Sequence, residues 1–383
     1  VSTRASARER SNLWRQFLGE DKTGEHSKSS SEDRAGRMPP TLAAIDAGSN
    51  TVHLAVMLPP HDGHDLRILK DTAAFVQLGR DVTAVGAIGP ERAEAAIAAV
   101  REQIALAKAL GAETILGIAT EGVRRAANAS TFIERVANET GLRLQVITGE
   151  QEAALAYWGT TSETAHIAGK RGVIDLGGGS LELIVGEGTR ILWRASLPLG
   201  GGVLRNRFLA SDPPTFRELA RAYQTVTEAL QSLPVPTSVM DVSVCGGTAT
   251  ALTQLARRAF RSQASQRKTA RNGNGGVSDV SEARPAVGQQ RLLTLEQMDQ
   301  LLALTQRYGA TELTERYHLR EARGLLMAPG CVALLAATER FGVERLHVSK
   351  RGIREGAMLA YLNTGDGWLN AASKGRGWPV AVT

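Results

Sequence analysis

The sequence predicts a mixed α/β protein built from two similar lobes that face each other across a cleft. A strand, a short Gly/Ser turn and a second strand occur twice, once around Asp46 and once around Asp175, and a repeated unit of this kind marks a duplicated architecture. Around the two copies, short apolar strands alternate with longer segments of helical periodicity, the pattern that builds parallel sheets covered by helices. Aromatic residues make up only 4% of the 383 residues while glycine reaches 40. Ala, Val, Leu and Ile must therefore fill the core, as in many α/β enzymes.

Residues 1–37 are rich in Ser, Arg and Glu without apolar periodicity and read as a disordered tail. The fold is expected to begin near Thr41, with Met38, just before Pro39-Pro40, as a candidate alternative start. From Leu42, LAAIDAGSNTVHLAVML reads as two strands joined by a tight turn at Gly48-Ser49-Asn50. A helix from about Pro90 to Leu110 is opened by Pro90 and Glu91, and the strand ETILGIA ends at Thr120. A helix from about Ala129 to Thr140 leads to the strand LRLQVIT. The next helix starts near Glu150, with Thr148 and Gln151 in capping-box register.

The second series opens at Gly172 with GVIDLGGGSLELIVGEG. Ser211 to Gln231 looks helical, MDVSVCGG reads as a strand turning into a helix near Thr248, and LHVSK precedes a final helix from about Ile353. Residues 261–290 carry Ser, Arg, Gly, Asn and Gln with no core pattern and read as a surface insertion whose basic charges could touch a polyanion. The expected organisation is a lobe over 38–164, a second over 165–365 and a tail over 366–383.

Composition narrows the class. With 43% hydrophobic residues the chain can bury a substantial core. A net charge of +6 and a pI near 9.5 favour a polyanionic partner, although charge alone does not separate nucleic acid from polyphosphate. Cys245 and Cys331 form no C-x-x-C pair, which fits a reducing cytoplasm. The sequence shows no evident membrane span or signal peptide, so a cytoplasmic protein with no membrane partner is expected. A G-x-x-x-x-G-K-[ST] loop and a G-x-S-x-G elbow are absent, which argues against a P-loop ATPase and an α/β-hydrolase.

Chemistry concentrates in the two turns. Gly48, Ser49 and Asn50, and Gly177, Gly178, Gly179 and Ser180, give tight backbone whose N–H groups and hydroxyls suit phosphate oxygens. Asp46 and Asp175 would repel phosphate directly and make sense holding a divalent cation or an ordered water beside it. Either turn alone could be an ordinary hairpin corner; the repetition favours a paired phosphate clamp. Gly246-Gly247-Thr248, where a strand opens into a helix, offers further free N–H groups. Arg124, Arg125, Lys350, Arg351 and Arg354 could line a basic channel. His53, His166 and His347 have no metal-ligand spacing and read as structural.

DAGSNTVHLAV and DLGGGSLELIV resemble the two phosphate-binding motifs of the actin, heat-shock chaperone and sugar kinase superfamily. ATEGVRRAANASTFIERVANETGLRLQVITGEQEAALAYWG, SLPLGGGVLRNRFL, CGGTATALTQLA and VSKRGIREGAMLAYL resemble its exopolyphosphatase/guanosine pentaphosphate phosphatase branch, in order, from Thr41 to Leu362. The resemblance implies two actin-like (ribonuclease H-like) lobes with the active site between them. It makes Glu121 the residue that activates water and Glu150 a second functional glutamate that helps hold a metal. Mg²⁺, or Mn²⁺, would then sit near Asp46, Asp175 and Glu150, with Glu182 a weaker candidate. The implied substrate is inorganic polyphosphate or guanosine pentaphosphate, the implied assembly a homodimer, and no specific nucleic acid is expected. An ATP-dependent small-molecule kinase and a non-catalytic polyphosphate or alarmone sensor are the rival classes. Longer members carry an HD-like C-terminal region that this sequence is expected to lack.

Overall fold

A computed structural model describes residues 40–59, 66–164, 168–236, 238–271 and 291–377. The expected tail over 1–37, His166 and most of the 261–290 insertion lie outside the described residues.

Strands β1 (Thr41–Ala47), β2 (Thr51–Leu58) and β3 (Arg67–Phe75) form an antiparallel meander, and β4 (Ala112–Ala119) and β5 (Gln145–Val146) add to it in parallel, in the order β3-β2-β1-β4-β5. The second sheet repeats this plan with β6 (Lys170–Leu176), β7 (Leu181–Glu187), β8 (Arg190–Leu197), β9 (Asp241–Cys245) and β11 (Arg345–Val348). A short edge strand β10 (Leu292–Thr294) extends it, giving β10-β11-β9-β6-β7-β8. The repeat extends to register, since Asp46 pairs with His53 and Asp175 with Glu182 at equivalent positions of the two hairpins. The expected duplicated two-lobe α/β architecture is present. The LRLQVIT strand is reduced to Gln145–Val146.

Helices cover the sheets in sequence order. On the first half these are α1 (Leu78–Val85), α2 (Pro90–Ala109), α3 (Glu121–Arg124), α4 (Ala129–Thr140) and α5 (Gly149–Thr161). On the second they are α6 (Gly201–Phe208), α7 (Phe216–Gln231), α8 (Gly247–Arg271), α9 (Leu295–Arg307), α10 (Ala310–Arg316), α11 (Glu321–Phe341), α12 (Ile353–Thr364) and α13 (Trp368–Lys374). The α5 capping box is formed, Thr148 Oγ1 accepting from Gln151 N at 3.2 Å and Gln151 Oε1 from Thr148 N at 2.8 Å. The helix expected from Ser211 starts at Phe216 instead, because Thr215 and Glu218 cap it there and Asp212-Pro213 precede it. Residues 366–377, expected as a tail, carry α13, and Arg376 bridges to Arg190. Within α11, Arg323–Phe341 is long and apolar enough to cross a bilayer, contrary to expectation, but 78% of it is buried inside the protein. It is a core helix of the second lobe, packed with Leu252, Leu255, Val242 and Val244.

Two helices exchange lobes. α5 follows the first sheet in the chain but packs on β6, β7 and β8, while α12 follows the second sheet and packs on β1 and β2. They cross in direct backbone contact: a side chain on Gly159 would overlap the Gly352 carbonyl, and one on Gly356 the Leu155 carbonyl. Leu42, Ala44, Leu155, Trp158, Val173, Ile184, Met358 and Leu359 therefore form one core spanning both sheets. The packing does not follow a single cut in the chain near residue 164.

Candidate active site

The C-terminal ends of the central parallel strands of both sheets open onto a single cleft of about 360 Å³, the place where α/β sheets bind ligands. Its floor is made by the two hairpin turns. Gly48 N donates to Thr51 O at 2.9 Å, and Gly177 N donates to Ser180 O at 3.1 Å, so the turns share one hydrogen-bonded form. A shelf braces the second turn from behind, with Gly200 N, Gly201 N and Gly202 N donating to the carbonyls of Gly179, Gly177 and Gly178 at 3.1, 3.0 and 2.8 Å. A Cβ on Gly200 would come within 2.5 Å of Ser180 N, so only glycine lets the SLPLGGG segment approach this closely.

The turns touch across the lobes. A side chain on Gly178 would overlap the Asn50 amide, and one on Gly179 would overlap the Glu121 carboxylate and come within 2.5 Å of Ser49 Oγ. Glu121, just past β4, is 6% exposed. Ser49 Oγ donates to its Oε2 at 3.1 Å, and Arg125 Nη1 to its Oε1 at 2.9 Å. Held from both sides, the carboxylate faces the second Gly turn. Gly246, at φ 100°, lies in the left-handed region that favours glycine. It passes close to Leu176 O and turns Gly247 and Thr248 into the cleft at the start of α8. Gly330 of α11 leaves room for the Thr248 methyl.

Behind the turns lies a nest of acids. Burial lifts Asp46 to about 7, with Arg354 pulling it down and Asp175 pushing it further up. Burial also raises Asp175, against a hydrogen bond from Cys245 and the charge of Arg354. Glu152, 5% exposed, is raised by burial despite Arg124, whose Nη1 lies 3.1 Å from its Oε2. Glu182 is fully buried, accepts from Ser196 Oγ at 2.8 Å and is raised well above the usual range by burial, Glu152 and Asp175. Asp46 Oδ1 and Glu182 Oε2 have no hydrogen-bond partner among the described residues. Arg354, 8% exposed, supplies the nearby positive charge. Its Nη1 donates to Asp71 Oδ1 at 2.9 Å and Leu54 O at 3.1 Å, and His53 Nε2 meets the same Asp71 oxygen at 2.7 Å. Partial burial pushes Asp71 up, but His53 and Arg354 outweigh it and hold the carboxyl well below the usual range.

The structure brings together Asp46, Gly48, Ser49, Asn50, Glu121, Asp175, Gly177, Gly178, Gly179, Ser180, Gly246, Gly247 and Thr248 along the cleft. It leaves out Glu150. That side chain is 72% exposed and pairs with Arg194 at 3.1 Å, because in the first turn of α5 the residue pointing into the cleft is Glu152. The expected placement of Glu150 at the cleft is not met, and Glu152 lines it instead. Arg124 and Arg125 hold acids, while Lys350, Arg351 and Arg354 line the cleft together with Arg320 and Arg323. Sequence reasoning missed Arg320, Arg323 and the His53-Asp71-Arg354 chain. The latter joins β2, β3 and α12, residues far apart in sequence, and no local pattern announces it.

The acids present only oxygen donors, which suits a hard divalent cation such as Mg²⁺, and the orphaned Asp46 Oδ1 marks a polar atom that needs a partner. Among the described residues no three His, Cys, Asp or Glu side chains form a ready metal cage. The fit is thus to a cation held by one or two carboxylates and completed by substrate phosphate and water, the usual manner of Mg²⁺.

The chain is similar to known proteins over most of its length. Exopolyphosphatase 1 of Mycobacterium leprae is 29% identical over 323 residues, covering 84% of this chain and 90% of that protein. Exopolyphosphatase 2 of Mycobacterium tuberculosis is 32% identical over 230 residues, covering 56% and 70% respectively. The crystal structure of the Aquifex aeolicus PPX-GPPA enzyme superposes with a TM-score of 0.65 at 30% identity, over 84% of this chain and 99% of that one. The profile of the Ppx/GppA phosphatase family matches residues 59–364, and the chain belongs to that family.

Proposed function

We propose that this protein is an exopolyphosphatase that releases terminal orthophosphate from inorganic polyphosphate, with Glu121 activating the attacking water. The observation that carries the reading is the contact between Glu121 and the second Gly turn, which puts a fixed carboxylate beside a nest of N–H donors. The amides of the two turns, with Ser49, Asn50, Ser180 and Thr248, bind and orient the terminal phosphate. Glu121 orients a water in line with the terminal phosphorus and accepts its proton. The phosphorus–oxygen bond to the penultimate unit breaks, orthophosphate departs, and the shortened chain keeps the bridging oxygen with its charge. Arg320, Arg323 and Lys350 offset that charge from the cleft wall. Asp46, Asp175 and Glu152 would hold Mg²⁺, or Mn²⁺, which when bound neutralises phosphate charge.

The reported curated relatives are both named exopolyphosphatases, which favours polyphosphate over guanosine pentaphosphate. Phosphate release with Mg²⁺ from long polyphosphate, tripolyphosphate and guanosine pentaphosphate tests the reading. Glu121→Gln should lower kcat by roughly 10²–10⁴-fold with little change in KM. Full activity in that variant would remove Glu121 from the mechanism. No release from any of the three, with ADP formed from ATP and an acceptor, would move the protein to the kinase class.

A further inference from the structure

Beside the catalytic cleft lies a second cavity of about 700 Å³, lined by Arg257, Arg258, Arg291 and Arg316, with no acid among its described lining residues. Thr250 and Gln254 line both cavities. They occupy one face of α8, the helix whose first residues, Gly247 and Thr248, stand in the cleft. The same face continues through Arg257, roughly 10 Å further along the helix axis than Thr250 at 1.5 Å per residue.

The charges along this path are crowded and of one sign. In the catalytic cleft, burial and the neighbouring Arg320 depress the Arg323 guanidinium, which packs against Gly247. In the second cavity, partial burial and Arg257 depress Arg291, with the charge of Glu163 pulling the other way. Among the described residues no carboxylate lies within ion-pair distance of Arg257, Arg291, Arg320 or Arg323, whereas Arg316 has Glu312 at 3.3 Å. Like charges crowded with few counter-ions cost free energy, which bound anionic groups recover. Arg258 has a separate task, donating to the carbonyls of Tyr317 and His318 at 2.6 Å each and fixing the cavity wall.

Resting on the function proposed above, we infer that this cavity is a distal subsite. It takes the inner phosphates of a linear polyphosphate whose end occupies the cleft, and the chain runs along the Thr250–Gln254–Arg257 face of α8. A run of guanidinium, hydroxyl and amide groups continuous with the cleft matches a repeating phosphate chain. Short substrates do not reach Arg257 and Arg291, so these residues select for chain length.

The test compares wild type with Arg257→Gln/Arg291→Gln on tripolyphosphate and on long-chain polyphosphate. A matched control, Arg217→Gln/Arg221→Gln, removes two charges from the exposed face of α7, away from both cavities. KM for the long chain should rise about tenfold, a loss that corresponds to two charge-assisted contacts, while tripolyphosphate kinetics and the control stay at wild-type values. Equal effects on both substrates, no effect, or the same effect in the control would overturn the subsite. Direct titration of the Glu121→Gln chain with long polyphosphate separates this inference from the hydrolytic reading. A tenfold loss of affinity on adding the two arginine substitutions, with a shallower salt dependence, supports the subsite even in a protein that hydrolyses nothing. Unchanged affinity refutes it even in an active enzyme.

Discussion

The two lobes share a frame and differ in what they mount on it. Equivalent turns run from Asp46 to His53 and from Asp175 to Glu182, and in register Ser49 and Asn50 of the first correspond to Gly178 and Gly179 of the second. The first turn carries side chains where the second carries none, and those side chains occupy the space the glycines leave. The ends of β4 and β9 show the same division: one leads to the carboxylate of Glu121, the other to the bare backbone of Gly246 and Gly247. At the starts of the exchanged helices, α5 contributes the acid Glu152 and α12 the base Arg354. A duplicated scaffold has thus divided its labour, the first lobe supplying the buried cleft acid Glu121 and the second a glycine-rich turn, which the proposed function uses as reactive acid and anion cradle. Symmetry brings these groups to one cleft, and its breaking makes them complementary.

The sharpest way to break this complementarity is to give the second turn a side chain. Gly179→Ala places a methyl on the Glu121 carboxylate and near Ser49 Oγ, so the carboxylate must move from its place beside the second turn. A displacement of about 1 Å at reacting groups costs roughly 10²-fold in rate. We expect kcat to fall by that order while the thermal midpoint stays near wild type, measured by phosphate release and calorimetry. Gly177→Ala, where a Cβ would meet nothing nearer than 3.4 Å, should stay within a few-fold of wild type. Equal losses in the two variants would show that the turns do not act through this contact.

The duplication, both turns and the Gly246 corner were legible in the sequence because each depends on local chemistry, strand alternation broken by glycine. The choice between Glu150 and Glu152 was not. Both lie in the first turn of α5, where an acid is favoured by the helix dipole, and only the packing of α5 on the opposite sheet decides which one faces the cleft. The exchange of α5 and α12 was hidden for the same reason, since it is written in Gly159 and Gly356, glycines whose partners lie in the other half of the chain. The core helix α11 shows a related limit: no membrane span was expected from the sequence, the helix proves long and apolar enough for one, and burial makes it the spine of the second lobe.

Crowding acids on one side of the comparison has a pH signature. The Asp46 carboxyl is raised from 3.8 to about 7, chiefly by burial, so the folded chain holds that proton more tightly than the unfolded one. Its contribution to stability is full below about 3.8 and is lost as pH rises through about 7. The metal-free protein should therefore lose several degrees of thermal midpoint between pH 5 and 8, and Asp46→Asn should flatten this slope. Added Mg²⁺ should restore the midpoint most at the upper end of the range, where the carboxylates are ionised. A slope that is the same in Asp46→Asn would place the pH dependence elsewhere.

The helix crossing that ties the lobes together is sensitive to a single methyl. Gly356→Ala puts a Cβ on the Leu155 carbonyl, where only backbone movement can relieve the overlap. Overpacking of this kind costs about 1–3 kcal/mol, readable as a lowered denaturation midpoint with unchanged slope. Because α12 also carries Arg354, activity should fall alongside stability. A stable but inactive variant would mean that the crossing positions Arg354 without holding the lobes.

The smallest effect is expected where the two acids of α5 part company. Glu150 is mostly exposed and its Arg194 partner also donates to Ala372 O at 2.8 Å and to Ser373 O at 2.6 Å, so the arginine remains satisfied when the glutamate is removed. An exposed pair of this kind contributes little, and Glu150→Ala should change stability by no more than about 0.5 kcal/mol and leave kcat/KM at its wild-type value. Glu152→Gln removes a buried carboxyl group that faces Arg124 and the other cleft acids, and should raise the Mg²⁺ concentration needed for half-maximal activity. If the two substitutions exchanged these outcomes, the first turn of α5 would have to rotate in solution to bring Glu150 to the cleft.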